Sequence, residues 1–489
     1  IFICWILFFY TYININNNGL NNIQMIEFYK KYFKNNYKSK VNKLIQDLEK
    51  LLLLEWIDII ESYSFCLPEN YSEWLSNSEW NKVNKLYYTL FKKQDILSIE
   101  LLKFINKTQD NKKKQFKFVD TFAGCWGLSL WMEKVWFNPV FINEIEPKFL
   151  ETYYFNRDIK LDNYYCDDIR KLVDEFDIYK HQFEDIDLLV WWPPCQGFSM
   201  ANRQRLIDDP RNELYKYYLK LLKLIQPKFF VMENVKWMMK KSNEIKNDFF
   251  DILWESYSIS IVLLNAKDFW IPQNRERVFV IWSRLQDINA EQIIKDLIKE
   301  KDSSLNFKLK DALEWLPVLE PKTQKNNAHI ENEKIWFKIK PYNYLNTEYE
   351  TYLNDTKNYY LFNHINRFNN ERDVEIFSRL PQWANSLHKS IVDIMPYNKR
   401  NHIFKDKYYK LNEVEVSKTI TSHMKMDCNM YIHPTQSRWL SPRESARIQT
   451  FPDDYIFMWA NNTWYAQIWN AVPVKLAEII WKHIFKYLK

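Results

Sequence analysis

Glycine is almost missing from this chain, with 4 in 489 residues where about 7% is usual. Glycine-rich phosphate loops are therefore excluded, and no Gly-Lys-Ser/Thr ending follows any turn. Paired cysteines are also lacking. Cys4, Cys66, Cys125, Cys166, Cys195 and Cys428 are scattered with no Cys-x-x-Cys spacing, which argues against a zinc site or a disulfide framework and fits a reducing cytoplasm. His423 and His433 stand without a ligand cluster, so no metal site is predicted. The longest opening apolar run, Ile1 to Tyr10, is too short to span a bilayer, and it carries neither a basic leader nor a small-residue cleavage site.

What is present is a globular balance of 47% hydrophobic and 27% charged residues, with a formal net charge of +6. That charge permits a nucleic-acid partner without requiring one. The length suits two or three domains. The first residue is Ile and the first Met is Met25, so residues 1–24 are expected to be an upstream extension ahead of the true start. Apolar residues at three and four spacing, as in Val41 to Leu51, predict a helical region over 25–115, ending in the polar linker Thr108 to Lys114.

The pattern then changes. Phe116 to Phe122 reads as a strand, followed by the small turn Ala123-Gly124-Cys125-Trp126-Gly127 and a helix from Leu128 to Val135. Pro139 to Asn143 reads as a second strand, ending in Glu144. A strand, tight turn, helix and strand ending in an acid is the arrangement that cradles a nucleoside, the carboxylate accepting from ribose hydroxyls. A further acid in Cys166-Asp167-Asp168-Ile169 suits an adenine amino group. Ile186 to Val190 reads as a buried strand leading into Trp191-Trp192-Pro193-Pro194-Cys195-Gln196-Gly197-Phe198-Ser199. The two prolines make a stiff loop that presents the Cys195 thiol beyond a sheet edge, where open α/β sheets bind ligands. Pro227 to Met232 reads as the next strand and delivers Glu233-Asn234-Val235. Gln273-Asn274-Arg275-Glu276-Arg277 leads into the strand Val278 to Ile281, and arginines at alternate positions on a strand point to one face.

With Arg443-Glu444-Ser445-Ala446-Arg447-Ile448-Gln449-Thr450-Phe451-Pro452-Asp453 and Asn470-Ala471-Val472-Pro473, these ordered motifs resemble the bacterial DNA cytosine-C5 methyltransferase family. The resemblance spans Phe118 to Arg284 and Arg438 to about Ile480. It implies an α/β fold: a Rossmann-like S-adenosylmethionine-dependent methyltransferase sheet with helices on both faces, an inserted target-recognition domain and an N-terminal helical extension. The expected boundaries are 25–115 for the extension, 116–284 for the catalytic domain, 285–437 for recognition and 438–489 for the return to the catalytic domain.

The resemblance also implies roles. Cys195 is the nucleophile that adds to cytosine C6. Glu233, with a raised pKa, contacts N3 and the exocyclic amine. Arg275 binds the cytosine carbonyl oxygen, with Arg277 and Gln273 holding the site together. Phe122, Gly124, Gly127, Glu144, Asp168, Pro194, Asn470 and Val472 contact S-adenosylmethionine, with Leu214 a weaker candidate. The expected partner is double-stranded DNA, with room for a cognate restriction endonuclease acting on the same site, and the expected state is a cytoplasmic monomer. The recognition region reads bases while its Lys and Arg, as in Asn398 to His402, meet phosphates. The chain lacks the Cys-Phe-Thr signature of the tRNA-acting branch, and a dinucleotide oxidoreductase gives Cys195 and Glu233 no role.

One departure recurs. Tryptophan stands where the family pattern has glycine at Trp126, Trp191, Trp192, Trp237, Trp270 and Trp469, with less secure cases at Trp131, Trp136, Trp282, Trp383, Trp439 and Trp459. Taken literally, indoles there block the cofactor turn and leave a DNA-binding relative without activity. The other reading is a codon rendered as tryptophan but read as glycine by the organism, which accounts for 21 tryptophans and 4 glycines together.

Overall fold

The computed structural model describes residues 116–125, 129–130, 132, 137–157, 163–192, 213–253, 258–285, 287–302, 307–323, 339–341, 345–354, 360–396, 407–457 and 461–489. All of them belong to one compact unit, Lys112–Lys489. The expected helical extension and upstream segment lie outside the described residues, as do Trp126, Gly127, Pro194 and Cys195.

Seven strands form the central sheet: β1 (Phe116–Thr121), β2 (Phe137–Asn143), β3 (Tyr164–Tyr165), β4 (Leu188–Trp191), β5 (Phe229–Val235), β6 (Ser258–Asn265) and β7 (Glu276–Ser283). Their order across the sheet is β3-β2-β1-β4-β5-β7-β6. β1 to β5 run parallel. β7 runs antiparallel to both β5 and β6. The order reverses between β1 and β4, the point at which an open α/β sheet forms its ligand crevice.

Strand side chains alternate between two apolar clusters, one on each face. Leu188, Val190, Phe229, Val231, Phe279 and Ile281 join one cluster. Leu189, Trp191, Phe230, Met232, Val280 and Trp282 join the other. The second face is covered by the helices Ile169–Asp174, Glu213–Ile225 and Ser242–Leu253, through Leu172, Leu219, Leu222 and Ile245. The first is covered by Pro147–Phe155, Ala290–Lys299 and Val474–Leu488, through Leu150, Ile293, Leu297, Leu476 and Ile480. Each such side chain contributes about 1.5–3 kcal/mol on burial, so both faces are held by apolar packing.

The sequence reading placed β1, β2, β4, β5 and β7 to within a few residues. It did not name β3 or β6. It also assigned 290–299 to the recognition region, whereas this helix packs on the catalytic sheet. Tyr487 donates to Asp296 Oδ2 at 2.7 Å, and His483 Nε2 lies 3.2 Å from Glu300 Oε1, tying it to the C-terminal helix.

Between residues 300 and 440 the described elements are short. β8 (Ile339–Pro341) and β9 (Tyr360–Phe362) pair antiparallel. The helices Leu309–Leu313, Glu348–Leu353 and Glu371–Arg379 send Leu309, Tyr349 and Ile376 into the same apolar cluster as the sheet's first face. Among the described residues no helix is long and apolar enough to cross a membrane.

Candidate active site

Because β1, β2, β4 and β5 are parallel, their C-terminal ends reach one edge of the sheet. Because β7 is antiparallel, its beginning reaches that same edge: Val235 pairs with Arg277 and Glu233 with Phe279. The turn after β1, the acid after β2, Trp192 after β4, and Glu233 on β5 therefore converge with Gln273 to Arg277.

The nucleoside end of the site is built on the turn after β1. Phe122 and Gly124 both take left-handed backbone (φ 57° each), and Ala123 N donates to Asn143 O at 2.9 Å. This brings Gly124 N to Glu144 Oε2 at 2.7 Å, while Glu146 N donates to Glu144 Oε1 at 2.8 Å. Glu144 is buried, and burial raises its pKa against those backbone bonds. Gly124 puts no side chain between its amide and the buried carboxylate, a close approach of main chain that suits a nucleoside cofactor.

Asp168 caps the helix Ile169–Asp174, accepting from Arg170 N at 2.9 Å. Arg170 Nη2 also bonds Asp168 Oδ2 at 2.7 Å and holds its carboxyl below the ordinary aspartate value. The acid expected to meet adenine is thus shared with a half-exposed arginine. Asn143 Nδ2 fixes this corner by donating to Asp167 O at 2.8 Å.

Asp120 was not singled out in the sequence, yet it is buried in β1 beneath the turn, accepting from Tyr153 Oη at 3.1 Å. Burial pushes its carboxyl up to about 7, against the hydrogen bonds of Ser129 and Tyr153.

At the other end, Arg277 Nε lies 2.8 Å from Glu233 Oε1. Glu233 is buried, and burial raises its pKa while Arg277 and Arg275 oppose the shift. A cleft of about 350 Å³ opens beside Arg277, bordered by Val235, Trp237, Asn274 and Thr419. Arg275 does not share this position. It precedes β7, and its guanidinium donates to Ile420 O at 2.8 Å and Trp469 O at 3.1 Å. Arg277 is thus the guanidinium bonded to Glu233, while Arg275, the residue expected to meet the cytosine carbonyl, ties together three distant segments.

Gln273 does similar work. Its Oε1 accepts from Ile420 N at 3.0 Å and its Nε2 donates to Gln449 Oε1 at 2.9 Å. Gln449 Nε2 in turn donates to Ile468 O at 3.0 Å and Ala471 O at 3.2 Å, fixing the segment that carries Asn470 and buried Val472. Residues 417–421 run beside the same stretch, with Asn274 N donating to Ser417 O at 2.8 Å. Tyr431 clamps that segment, donating to Thr419 O at 2.7 Å and accepting from Thr421 N at 3.0 Å. Gln449 and Tyr431 were missed because each acts through partners remote in sequence.

The helix Pro442–Ile448 is wholly buried and begins with a capping box, Ser441 with Glu444. Arg438 forks onto Glu444 at 2.8 and 2.6 Å, and Arg447 onto Asp453 at 2.8 and 2.9 Å. Arg447 Nη1 also reaches Glu314 O at 3.1 Å, and Tyr349 Oη donates to Arg447 O at 2.5 Å. Asn354 Nδ2 bonds Asp453 Oδ2 at 3.0 Å. The residues that follow position 300 are thereby fastened to the C-terminal return by buried, charge-assisted bonds.

Cys195, Pro194 and Gly127 lie outside the described residues; Phe122, Glu144, Glu233, Arg277, Gln273, Arg275 and Val472 stand at or directly support the common edge.

Comparison with known proteins agrees with this geometry. The model of the C-5 cytosine-specific DNA methylase family matches residues 116–486. The type II methyltransferase M.FnuDI of Fusobacterium nucleatum is 31% identical over 379 residues, covering 75% of this chain and 94% of that relative. M.DdeI of Desulfomicrobium norvegicum is 29% identical over 390 residues, covering 76% and 89%. A crystal structure of a prophage-encoded DNA modification methyltransferase from E. coli superposes with a TM-score of 0.58 at 24% identity, covering 76% of this chain and 99% of that one, and supports the fold. The chain belongs to the C-5 cytosine-specific DNA methylase family, enzymes that place a methyl group from S-adenosylmethionine on cytosine in DNA.

Proposed function

We propose that this enzyme methylates C5 of a cytosine within a specific double-stranded DNA sequence, flipping the base out of the helix and forming a covalent bond between Cys195 and C6. The observation that supports the reading is the buried Glu233–Arg277 pair on the edge to which β4 leads the Cys195 segment. A duplex hides C6 within the stack, so the target base must leave it to meet the thiolate.

Cytosine C5 is a poor nucleophile until C6 is attacked. Cys195 as thiolate forms the S–C6 bond, and Glu233, carrying a proton favoured by its burial, gives that proton to N3. Arg277 holds the cytosine carbonyl oxygen and keeps Glu233 in line. The electrons released toward C5 make it nucleophilic. S-adenosylmethionine, when bound, supplies the electrophilic methyl group. Glu233 takes the N3 proton back, and loss of the C5 proton to a base then expels the Cys195 thiolate from C6 and restores the aromatic ring. Phe122, Gly124, Glu144 and Asp168 hold the nucleoside part of the donor, with Gly127, Pro194, Asn470 and Val472 completing its surround.

Residues between about 300 and 437 read the bases, and their Lys and Arg neutralise phosphates. The type II names of the relatives favour a restriction endonuclease of the same specificity as a functional partner. The test is a duplex carrying 5-fluorocytosine, whose C5 fluorine cannot leave as a proton does. With S-adenosylmethionine present, a stable protein–DNA adduct is expected for the enzyme and not for Cys195→Ala; absence of the adduct across a library of sequences overturns the reading. A second reading, a DNA-binding relative without activity, rests on the literal indoles at Trp191 and Trp469, and the same assay separates the two.

A further inference from the structure

Ten residues other than glycine take left-handed backbone among the described residues, and three of them are tryptophan: Trp270 (φ 62°), Trp315 (φ 64°) and Trp383 (φ 52°). Asn and Asp visit this region because their short polar side chains bond locally, and a bulky aromatic needs packing to hold it there, as Phe122 and Tyr408 have at the core.

The three positions are ones where the chain's own geometry calls for glycine. Trp315 follows Glu314, the C-cap of the helix Leu309–Leu313, and Leu316 N returns to Leu313 O at 3.4 Å. This is the helix-ending position at which a left-handed glycine is the usual residue. Trp383 is the third residue of the turn Pro381 to Ala384, closed by Ala384 N to Pro381 O at 3.2 Å. A positive φ there defines the turn type that selects glycine. Neither indole compensates by packing, since Trp315 is 56% and Trp383 62% exposed. Trp270 leads into Pro272-Gln273, and its buried indole Nε1 lacks a hydrogen-bond partner.

Two further tryptophans are ill-placed in another way. The Nε1 atoms of Trp191 and Trp469, which stand where the family pattern has glycine, are buried without an acceptor, as is that of Trp464, which no motif glycine marks; an unmet donor costs its full desolvation. Trp191 also lies face to face on Tyr218 with ring centroids 3.5 Å apart and planes 6° apart, the arrangement aromatic pairs avoid. Trp439 contrasts with all five. Its Nε1 donates to Asn429 Oδ1 at 3.0 Å, and Arg367 lies over its ring at 5.6 Å. The structure therefore separates tryptophans that are used from tryptophans that are endured, and places Trp439, a less secure glycine candidate in the sequence, among the former. It adds Trp315, which no motif marks.

We infer that the protein made in its own cell carries glycine at positions 191, 270, 315, 383 and 469, through a codon that the organism reads as glycine and that is rendered here as tryptophan. Position 439 is tryptophan. The inference stands on backbone geometry and unsatisfied donors, and so is independent of the proposed reaction.

Peptide mass spectrometry of the protein isolated from its own organism tests it. Glycine is expected at 270, 315 and 383; tryptophan at any of the three overturns the inference. A second measurement uses the full chain produced in a standard host as written, beside the same chain with Trp315→Gly and Trp383→Gly. The double variant is expected to unfold at a higher urea concentration, because the strained turns relax and no packing is lost. An unchanged or lower midpoint overturns the backbone argument.

Discussion

Arg277 reaches across from the first turn of β7 to Glu233 on β5, Nε to Oε1 at 2.8 Å, with both side chains largely buried. Burial raises the Glu233 pKa and Arg277 is the strongest influence holding it down. Replacing Arg277 by Met removes the opposing charge, so the Glu233 pKa rises further and the alkaline limb of the activity profile moves upward. The lost carbonyl contact lowers kcat/KM by about 10²-fold. Initial rates across pH check both effects; a rate loss with an unmoved profile separates Arg277 from the ionisation of Glu233.

Tyr431 holds the segment whose Ile420 carbonyl receives Arg275. Tyr431→Phe removes a hydroxyl that makes bonds to Thr419 and Thr421, and leaves Thr421 N without its acceptor. Stability is expected to fall by about 1–2 kcal/mol. Catalysis is expected to suffer more through KM for DNA than through kcat, since the loosened segment borders the cleft and not Glu233 itself. Steady-state kinetics on a duplex substrate measure the split.

The Arg447–Asp453 fork is fully buried. Asp453→Ala removes the paired charge of a buried guanidinium and one of the bonds of Asn354 Nδ2, a loss of about 3–5 kcal/mol. Urea unfolding measures it. A loss below about 1 kcal/mol would show that Glu350, 3.6 Å from Arg447 Nη2, takes over the charge.

Asp120 and the histidines oppose each other in pH. The Asp120 pKa is raised to about 7, so its protonated form is favoured on folding: this stability is complete below the ordinary aspartate value, is lost as pH rises, and is gone above about 7. Linkage puts the loss at up to about 4 kcal/mol. His364 and His433 have pKa values lowered by burial to about 4 and about 3. Their contribution is complete above the ordinary histidine value near 6.5 and is lost as pH falls toward those values. Between about pH 4 and 6.5 the two histidines outweigh Asp120, so urea midpoints should rise with pH and level off near 7. Asp120→Asn removes the opposing contribution and is expected to steepen that rise.

The sheet was legible because buried parallel strands are short apolar runs, and five of seven were read that way. β6 escaped because its residues alternate between half-buried and buried without a clean period. Arg275 and Arg277 were both marked by the motif, but their separate surroundings were not legible: Arg277 meets Glu233, while Arg275 answers to Ile420 and Trp469, which no local pattern reveals. Glu144 and Glu233 were found because a strand end marks them. Asp120, Gln449 and Tyr431 were not, because their importance lies in partners brought close only by folding. Trp315 shows the same limit from the other side, since only its backbone angle exposes it.

The C-terminal return has a consequence in time as well as space. Asn156 bonds Ile456, Tyr455 reaches the carbonyl of Cys125, and Gln467 meets Thr152, each across about three hundred residues of chain. Contacts of such separation form late, after the intervening loop has been closed. On the ribosome the turn after β1 emerges early and waits for residues 455–467 before its surroundings are complete. The site is thus assembled only after that segment has emerged, and a chain cut short of it keeps every strand of the sheet but lacks the groups that fix its active edge.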